Sequence, residues 1–428
     1  MIRPKIINLK KHIKMKNNIL AQIDNPVQLE KLYRENNNEF KKQFNEIYPN
    51  YKDKIGLQFW NERLNFESEK IALGSKNEIL AVIVFILVGG LIANIPNITG
   101  INEESFFSKN VALIVFSILS AYFIWRQKIN LNKILIPVIA IAVSAIYINL
   151  IPDLNKSDSA MLVRIHLPLL LWSILGYVYI GANLKNNTKK IEFLKFNGDL
   201  IIMCAIILLS CMVFSVITFG LFELINIKIE EIYFRYFAVW WIAAVPMTAT
   251  YLLQNNPQLI NKVSPIIAKI FTPLVFINLL VYLTAVIYTG KYPYNDRNLL
   301  LVFNVLLIGV MALILFSVAE AGKNNKGLFN LFLLFALSSL TIIINSIALA
   351  AISYRILEFG ITPNRIAVLG GNILIFIHLL MVSYKLFKTV RGKAEIEAVE
   401  TSIALFLPVY SIWTAIIIFV LPFIFNFK

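Results

Sequence analysis

The residues able to do chemistry in this 428-residue chain sit among apolar neighbours. Asn278, Asn304, Asn345 and Asn372 fall one to each of four consecutive hydrophobic runs, and His378 follows in the last of them. A polar group in hydrocarbon must find a partner. That partner is either solute or water in a polar passage, or a neighbouring helix, for which such a bond is worth roughly 1 kcal/mol. A second group lies in residues 353–372, the link between two late runs. Gly360 suits a helix end, Thr362 an N-cap and Pro363 the first helical position. Arg355 and Glu358 lie three apart, so they share a helix face and can pair. Arg365 falls in the first turn of the next helix, where the helix dipole disfavours a cation. It requires an anionic partner: Glu358, a lipid headgroup or a substrate anion. The alternative is a structural clamp between two helices.

The remaining inventory excludes most soluble-enzyme chemistry. The chain carries no Walker loop, dinucleotide fingerprint, H-E-x-x-H or nucleophile elbow. Its three histidines, His12, His166 and His378, are scattered and build no metal site, so neither a metal nor another cofactor is expected. Carboxylates are nearly absent from the apolar runs, which argues against an embedded protease or hydrolase. Glu223 and Glu320 end two runs and are expected to face water or a nearby Lys or Arg. Arg164 opens another run and is expected to snorkel to the headgroups. Cys204 and Cys211 share a helix face, but two turns separate them, so they pack and do not bridge.

The elements that position these residues follow from composition. The chain is 58% hydrophobic, with a mean hydropathy of +0.70 and only 15% charged residues. About eleven apolar runs are expected, at 78–97, 109–125, 133–151, 161–182, 199–224, 232–253, 265–289, 298–319, 328–352, 365–385 and 401–425. Each is long enough to cross a hydrocarbon core of ~30 Å as a helix. The fold class is therefore an all-α polytopic transmembrane bundle over residues 78–425, behind a small N-terminal helical domain. The first run starts too late for a cleavable signal peptide and is expected to act as an uncleaved anchor. Aromatic residues such as Trp125, Trp240 and Tyr410 cluster at run ends, as in interfacial belts.

Ahead of the first run, residues 1–23 read as a basic tail or surface helix, with six Lys and Arg in the first eighteen positions. Residues 24–77 read as a cytoplasmic three-helix domain. Asn25-Pro26-Val27-Gln28 gives an N-cap, a first-turn Pro and a capping-box Gln. Leu29, Leu32 and Tyr33 make one apolar face; Phe40, Phe44, Ile47 and Tyr48 make a second, ended by Pro49. Leu57, Trp60 and Leu64 make a third, with Asp53 as its expected cap. Such short helices bury little alone, so residues 24–70 are expected to dock on the membrane domain or on a protein partner.

The net charge of +15 is spread between apolar runs and does not form one nucleic-acid-binding face. With the N-terminus in the cytoplasm, 30 of the 40 Lys and Arg fall on cytoplasmic segments. That bias sets the orientation, attracts anionic headgroups on the cytoplasmic side and puts Lys428 outside if the count is odd.

The stretch from Tyr354 to Arg365 resembles the signature of a bacterial polytopic family, domain of unknown function 4153. There an Arg, then Tyr or Phe-Gly-x-Thr, then Asn-Arg recurs between late helices. The matching residues here are Arg355, Phe359, Gly360, Thr362, Asn364 and Arg365. The segments 29–34, 44–49 and 59–64 also resemble the leader of Bacteroidota members. The resemblance covers roughly residues 78–425. It implies a multi-pass inner-membrane protein of bacterial origin and supplies no catalytic residue.

Three functions are compatible with these features. The leading expectation is that a small polar or anionic solute, or a lipid, binds or passes between the late helices. Arg355, Glu358 and Arg365 would form its outer gate, and Asn278, Asn345, Asn372 and His378 would line the interior. A structure with those asparagine side chains bonded helix to helix and no cavity between them would sink the transport reading. The second is a scaffold or sensor acting through the N-terminal domain. The third is a lipid-linked transferase using Glu358 or Asp153.

Overall fold

The computed structural model describes residues 16–65, 74–151, 157–223, 228–256, 263–289, 297–321 and 328–427. Every element among them is helical, and the chain divides into two compact units, Met1–Ala72 and Leu73–Lys428.

The N-terminal unit contains α1 (Pro26–Glu35), α2 (Asn37–Ile47) and α3 (Ile55–Asn65). Asn25 caps α1 by accepting from the Gln28 N–H at 3.2 Å, and Asn36 caps α2 by accepting from Glu39 at 3.2 Å. A 3-10 turn at Tyr48–Asn50 follows α2, where Pro49 cannot donate to the ladder. Lys54, and not Asp53, directly precedes α3, and its carbonyl accepts from Leu57 at 2.9 Å. The faces read from periodicity meet in one core of Leu29, Phe40, Phe44, Leu57, Trp60 and Leu64. Ile19, fully buried, joins them from a helical turn at 16–21. The unit thus begins earlier than expected, within the stretch read as a tail, because Ile19 completes its core. Residues 1–15 lie outside the described set.

In the membrane unit the helices are α4 (Lys76–Ala93), α5 (Glu103–Gln127), α6 (Leu131–Leu150) and α7 (Asp158–Tyr179). They continue as α8 (Asn187–Glu223), α9 (Trp241–Asn255), α10 (Val263–Thr289) and α11 (Arg297–Ala321). The last are α12 (Leu328–Phe359), α13 (Pro363–Val390) and α14 (Ile396–Phe419). Among the described residues, ten helices are long and apolar enough to span a bilayer. The eleventh expected run is α10, whose apolar stretch among the described residues is shorter, Ile270–Val281.

Two hydrophobic cores organise this unit. One gathers α4, α5, α7, α8 and α9 around Tyr122, Phe123, Leu175 and Met247. The other gathers α8 and α10 to α14 around Phe303, Leu307, Leu337, Ile344 and Leu379. The first turns of α8 feed both: Phe193 and Phe196 enter the first core, Ile191 and Leu194 the second. Successive faces of one helix therefore join the two halves. Gly198 lies in the same stretch of α8, and the Phe316 ring of α11 rests directly against its backbone.

Polar contacts fix which helix ends share a face. Glu78 at the start of α4 meets Arg126 at the end of α5 and Asn255 at the end of α9. At the opposite face, Lys109 near the start of α5 donates to the Ile151 carbonyl at 3.1 Å. Ser157, just before α7, donates to the Phe427 carbonyl at 2.5 Å. Residues near the C-terminal end thus lie across the bundle from Lys76.

Candidate functional site

The link between α12 and α13 has the expected caps. Gly360 adopts φ +77°, and Thr362 accepts from the Arg365 N–H at 3.4 Å. Arg365 finds neutral partners within the fold in place of the expected anion. Its guanidinium donates to the carbonyls of Phe359 and Gly360 at 2.7 and 2.6 Å. Those carbonyls are the free acceptors at the C-terminus of α12, the negative pole of that helix. Arg365 therefore leaves the unfavourable end of one helix for the favourable end of another. Arg355 and Arg365 both lie over the Phe359 ring, at 5.6 and 5.7 Å. Glu358 is exposed, and no ion pair joins it to Arg355 among the described residues. The geometry is that of a staple closing the turn. Asp153 lies outside the described residues.

The asparagine row is partly assembled. Asn345 donates to the Asn372 carbonyl at 3.1 Å, and the Asn372 side chain donates to Asn304 Oδ1 at 2.8 Å. These bonds tie α11, α12 and α13 together, with Asn345 fully buried. Asn278 does not join them. It is exposed and lines a recess of about 340 Å³ between α10 and α11, with Phe271, Val275 and Leu306 among its apolar walls. His378, also buried, faces α14: its Nδ1 is hydrogen-bonded to Tyr410 OH at 3.0 Å, and its ring stacks on Phe406 at 4.5 Å. The Asn304–Asn345–Asn372 bonds are helix-to-helix bonds, the arrangement that counts against a passage at that level.

Two buried ionic centres lie at the Lys76 face, and periodicity alone did not single them out. In the first, Glu78 pairs with Arg126. Its Oε1 also accepts from Tyr122 OH at 2.8 Å and from Asn255 Nδ2 at 3.1 Å. Arg126 donates in turn to Tyr122 OH at 2.8 Å and to the Gln254 carbonyl at 3.2 Å. Glu78 is held in place by Ser75, whose hydroxyl accepts from its N–H at 3.2 Å. The sequence signal was this Ser-x-x-Glu pair at the entry of an apolar run.

The second centre joins α8, α10 and α11. Lys195 Nζ lies 3.0 Å from Glu320 Oε1, with side chains 19% and 1% exposed. It donates to Oε2 at 3.3 Å, while Oε1 accepts no directed hydrogen bond. One turn along α8, Asp199 accepts from the hydroxyl of Ser264, which is fully buried. A hydroxyl pair, Thr272 and Ser317 at 3.2 Å, lies deeper between α10 and α11. The expected partner of Glu320 is thus a lysine, in a buried setting. The close approach of α8 and α11 at Gly198 and Phe316 brings the pair together.

No protein-family model, curated protein or solved structure matches the chain.

The two centres differ in what they can do. Glu78 and Arg126 balance in charge, and their neighbours supply further hydrogen bonds. Lys195, Asp199 and Glu320 carry two carboxylates against one ammonium among the described side chains. Each isolated buried charge costs several kcal/mol.

Proposed function

We propose that this multi-pass membrane protein binds and passes a small polar solute, with its working centre where α8, α10 and α11 meet. The observation that supports this reading is the surplus carboxylate of the Lys195–Asp199–Glu320 centre, set within membrane-spanning helices. Glu320 is the penultimate residue of α11 and Ser264 lies in the first turn of α10, so the centre sits at helix ends, where a solute would enter or leave the bundle. The reading keeps the late-helix sector expected from the asparagine row and moves the centre of action from the Arg355–Arg365 turn to Glu320. The charge bias supports a cytoplasmic N-terminus, so that the centre faces the cytoplasm and the Arg365 staple lies outside, next to lipid headgroups. The family kinship and an inner-membrane location in a bacterium belong to the same proposal, supported by the Arg355, Phe359, Gly360, Thr362, Asn364 and Arg365 pattern.

The test is melting of the full-length protein in nanodiscs against a panel of amino acids, sugars, carboxylates, amines and phosphates. One class should raise the melting temperature of the wild type and fail to do so in Asp199→Asn and Glu320→Gln. An identical response in both variants would remove the centre from solute binding.

A second reading, a scaffold, is favoured by the N-terminal unit. It has its own core yet exposes Val27 at 64% and Phe59 at 73%. Loss of a co-purifying protein on deletion of residues 1–70, with the membrane unit still folded, would support it.

A further inference from the structure

We propose that the turn between α12 and α13 binds the headgroup of an anionic phospholipid through Arg355 and Arg365. The inference goes beyond the carrier reading and does not depend on it. Both guanidiniums lie over the Phe359 ring, at 5.6 and 5.7 Å from its centroid, so one aromatic side chain holds two like charges near each other. Neither has a carboxylate partner among the described residues. Arg365 commits Nη1 to the Phe359 and Gly360 carbonyls, while its Nε and Nη2 make no hydrogen bond among the described residues. Arg355 makes no hydrogen bond or ion pair among them at all. Guanidinium N–H groups match phosphate oxygens in geometry as well as charge.

The surroundings point to a lipid as the source of that phosphate. Leu357 is 86% exposed and Ile361 63%, and the Phe359 ring between them is exposed as well. Exposed apolar side chains grouped in this way mark a contact surface. The turn joins two helices long and apolar enough to span a bilayer, so the surface it meets is the membrane boundary. There the apolar side chains enter the acyl layer and the arginines reach the headgroups. A soluble phosphate would leave the apolar group uncovered. Glu358, exposed in the same turn of α12, opposes part of the positive charge.

Native mass spectrometry of the full-length protein, titrated in detergent with phosphatidylglycerol or phosphatidylcholine, is the test. Wild type should prefer phosphatidylglycerol. Arg355→Gln should weaken that binding on the order of fivefold. Its melting temperature should not change, because this side chain has no hydrogen bond to lose. Arg365→Lys keeps the charge without the fork and should give a smaller loss. Glu358→Gln removes an opposing charge and should tighten binding. Equal affinity for the two lipids in wild type would overturn the proposal, as would an unchanged preference in Arg355→Gln or weaker binding in Glu358→Gln. Glycerol 3-phosphate, added as a competitor at the same concentration as the lipid, should fail to displace it. Leu357→Ser should weaken lipid binding. Displacement by glycerol 3-phosphate, or full binding in Leu357→Ser, would overturn the lipid assignment in favour of a soluble phosphate.

Discussion

The Glu78–Arg126 centre and the Lys195–Asp199–Glu320 centre share a face of the bundle, yet their charges are handled in opposite ways. In the first, one carboxylate oxygen receives three donors from two neighbouring helices, α5 and α9, and the guanidinium also donates to the Gln254 carbonyl. In the second, one ammonium reaches both oxygens of Glu320, at 3.0 and 3.3 Å, and a second carboxylate stands one helical turn away. Burial of charge is common to both, so burial does not mark function here. Completeness of the pairing separates a clamp from a site.

The largest expected effect breaks the clamp. Glu78→Ala leaves the partly exposed Arg126 without its counter-charge and Tyr122 and Asn255 without their acceptor; it should cost about 3 kcal/mol, the low end for a broken buried pair, read as a lower melting temperature in nanodiscs. Asp199→Asn, in contrast, removes a surplus charge and keeps the Ser264 hydrogen bond within reach, so its cost should stay within about 1 kcal/mol. Comparable losses at the two centres would erase the distinction between them, because both would then be structural pairs.

A smaller effect tests how the second centre is assembled. A side chain at Gly198 would occupy the space taken by the Phe316 ring. Gly198→Leu should cost about 1–3 kcal/mol through overpacking. It should also weaken the solute-induced rise in melting temperature, because α11 must shift away from Lys195 and Asp199. Gly309→Leu is the control, since nothing lies within 4 Å of a Cβ there. Loss of the solute response in the control as well would show that the centre responds to any insertion and is not positioned by this contact.

The same contrast explains what could be read from the sequence. The spans were legible because backbone saturation in hydrocarbon leaves only one regular solution, and run length reports it directly. The caps at Asn25, Gly360 and Thr362 were legible because they depend on residues within four positions. The partner of Arg365 was half legible: its misfit in the first turn of α13 showed that it needed an anion, but the negative pole of α12 is formed by backbone and has no residue type. Asn278 and Asn345 look alike in sequence, each an amide in an apolar run. One faces outward and the other is bonded to Asn372, a difference set by helix rotation within the bundle. The two ionic centres were least legible, since Glu78 and Asn255 are 177 positions apart and Lys195 and Glu320 are 125 apart.

The smallest expected effect lies outside the membrane and gives the comparison its lower bound. Glu30 in α1 accepts from Arg63 of α3 at 2.6 Å and from Arg34 at 2.8 Å, but this pairing is open to water. Hydrogen bonds from Arg63 and then Arg34 hold the Glu30 carboxyl below its ordinary value of 4.5. A carboxyl lowered on folding stabilises the fold above the unfolded value, and that contribution disappears as pH falls through the lowered one. Hydrogen exchange along Pro26–Glu35 in the full-length protein, measured relative to the intrinsic rate at each pH, should therefore be steady above pH 4.5 and quicken only below it. Arg63→Gln should move the quickening to higher pH, towards 4.5, and also loosen Trp60, over whose ring Arg63 lies at 4.7 Å. Solvent screening keeps this change small beside the loss of the Glu78 clamp. If acid loosened α1 as severely as Glu78→Ala destabilises the bundle, pairing in water and pairing in hydrocarbon would carry similar weight, and charge balance could no longer distinguish the two buried centres.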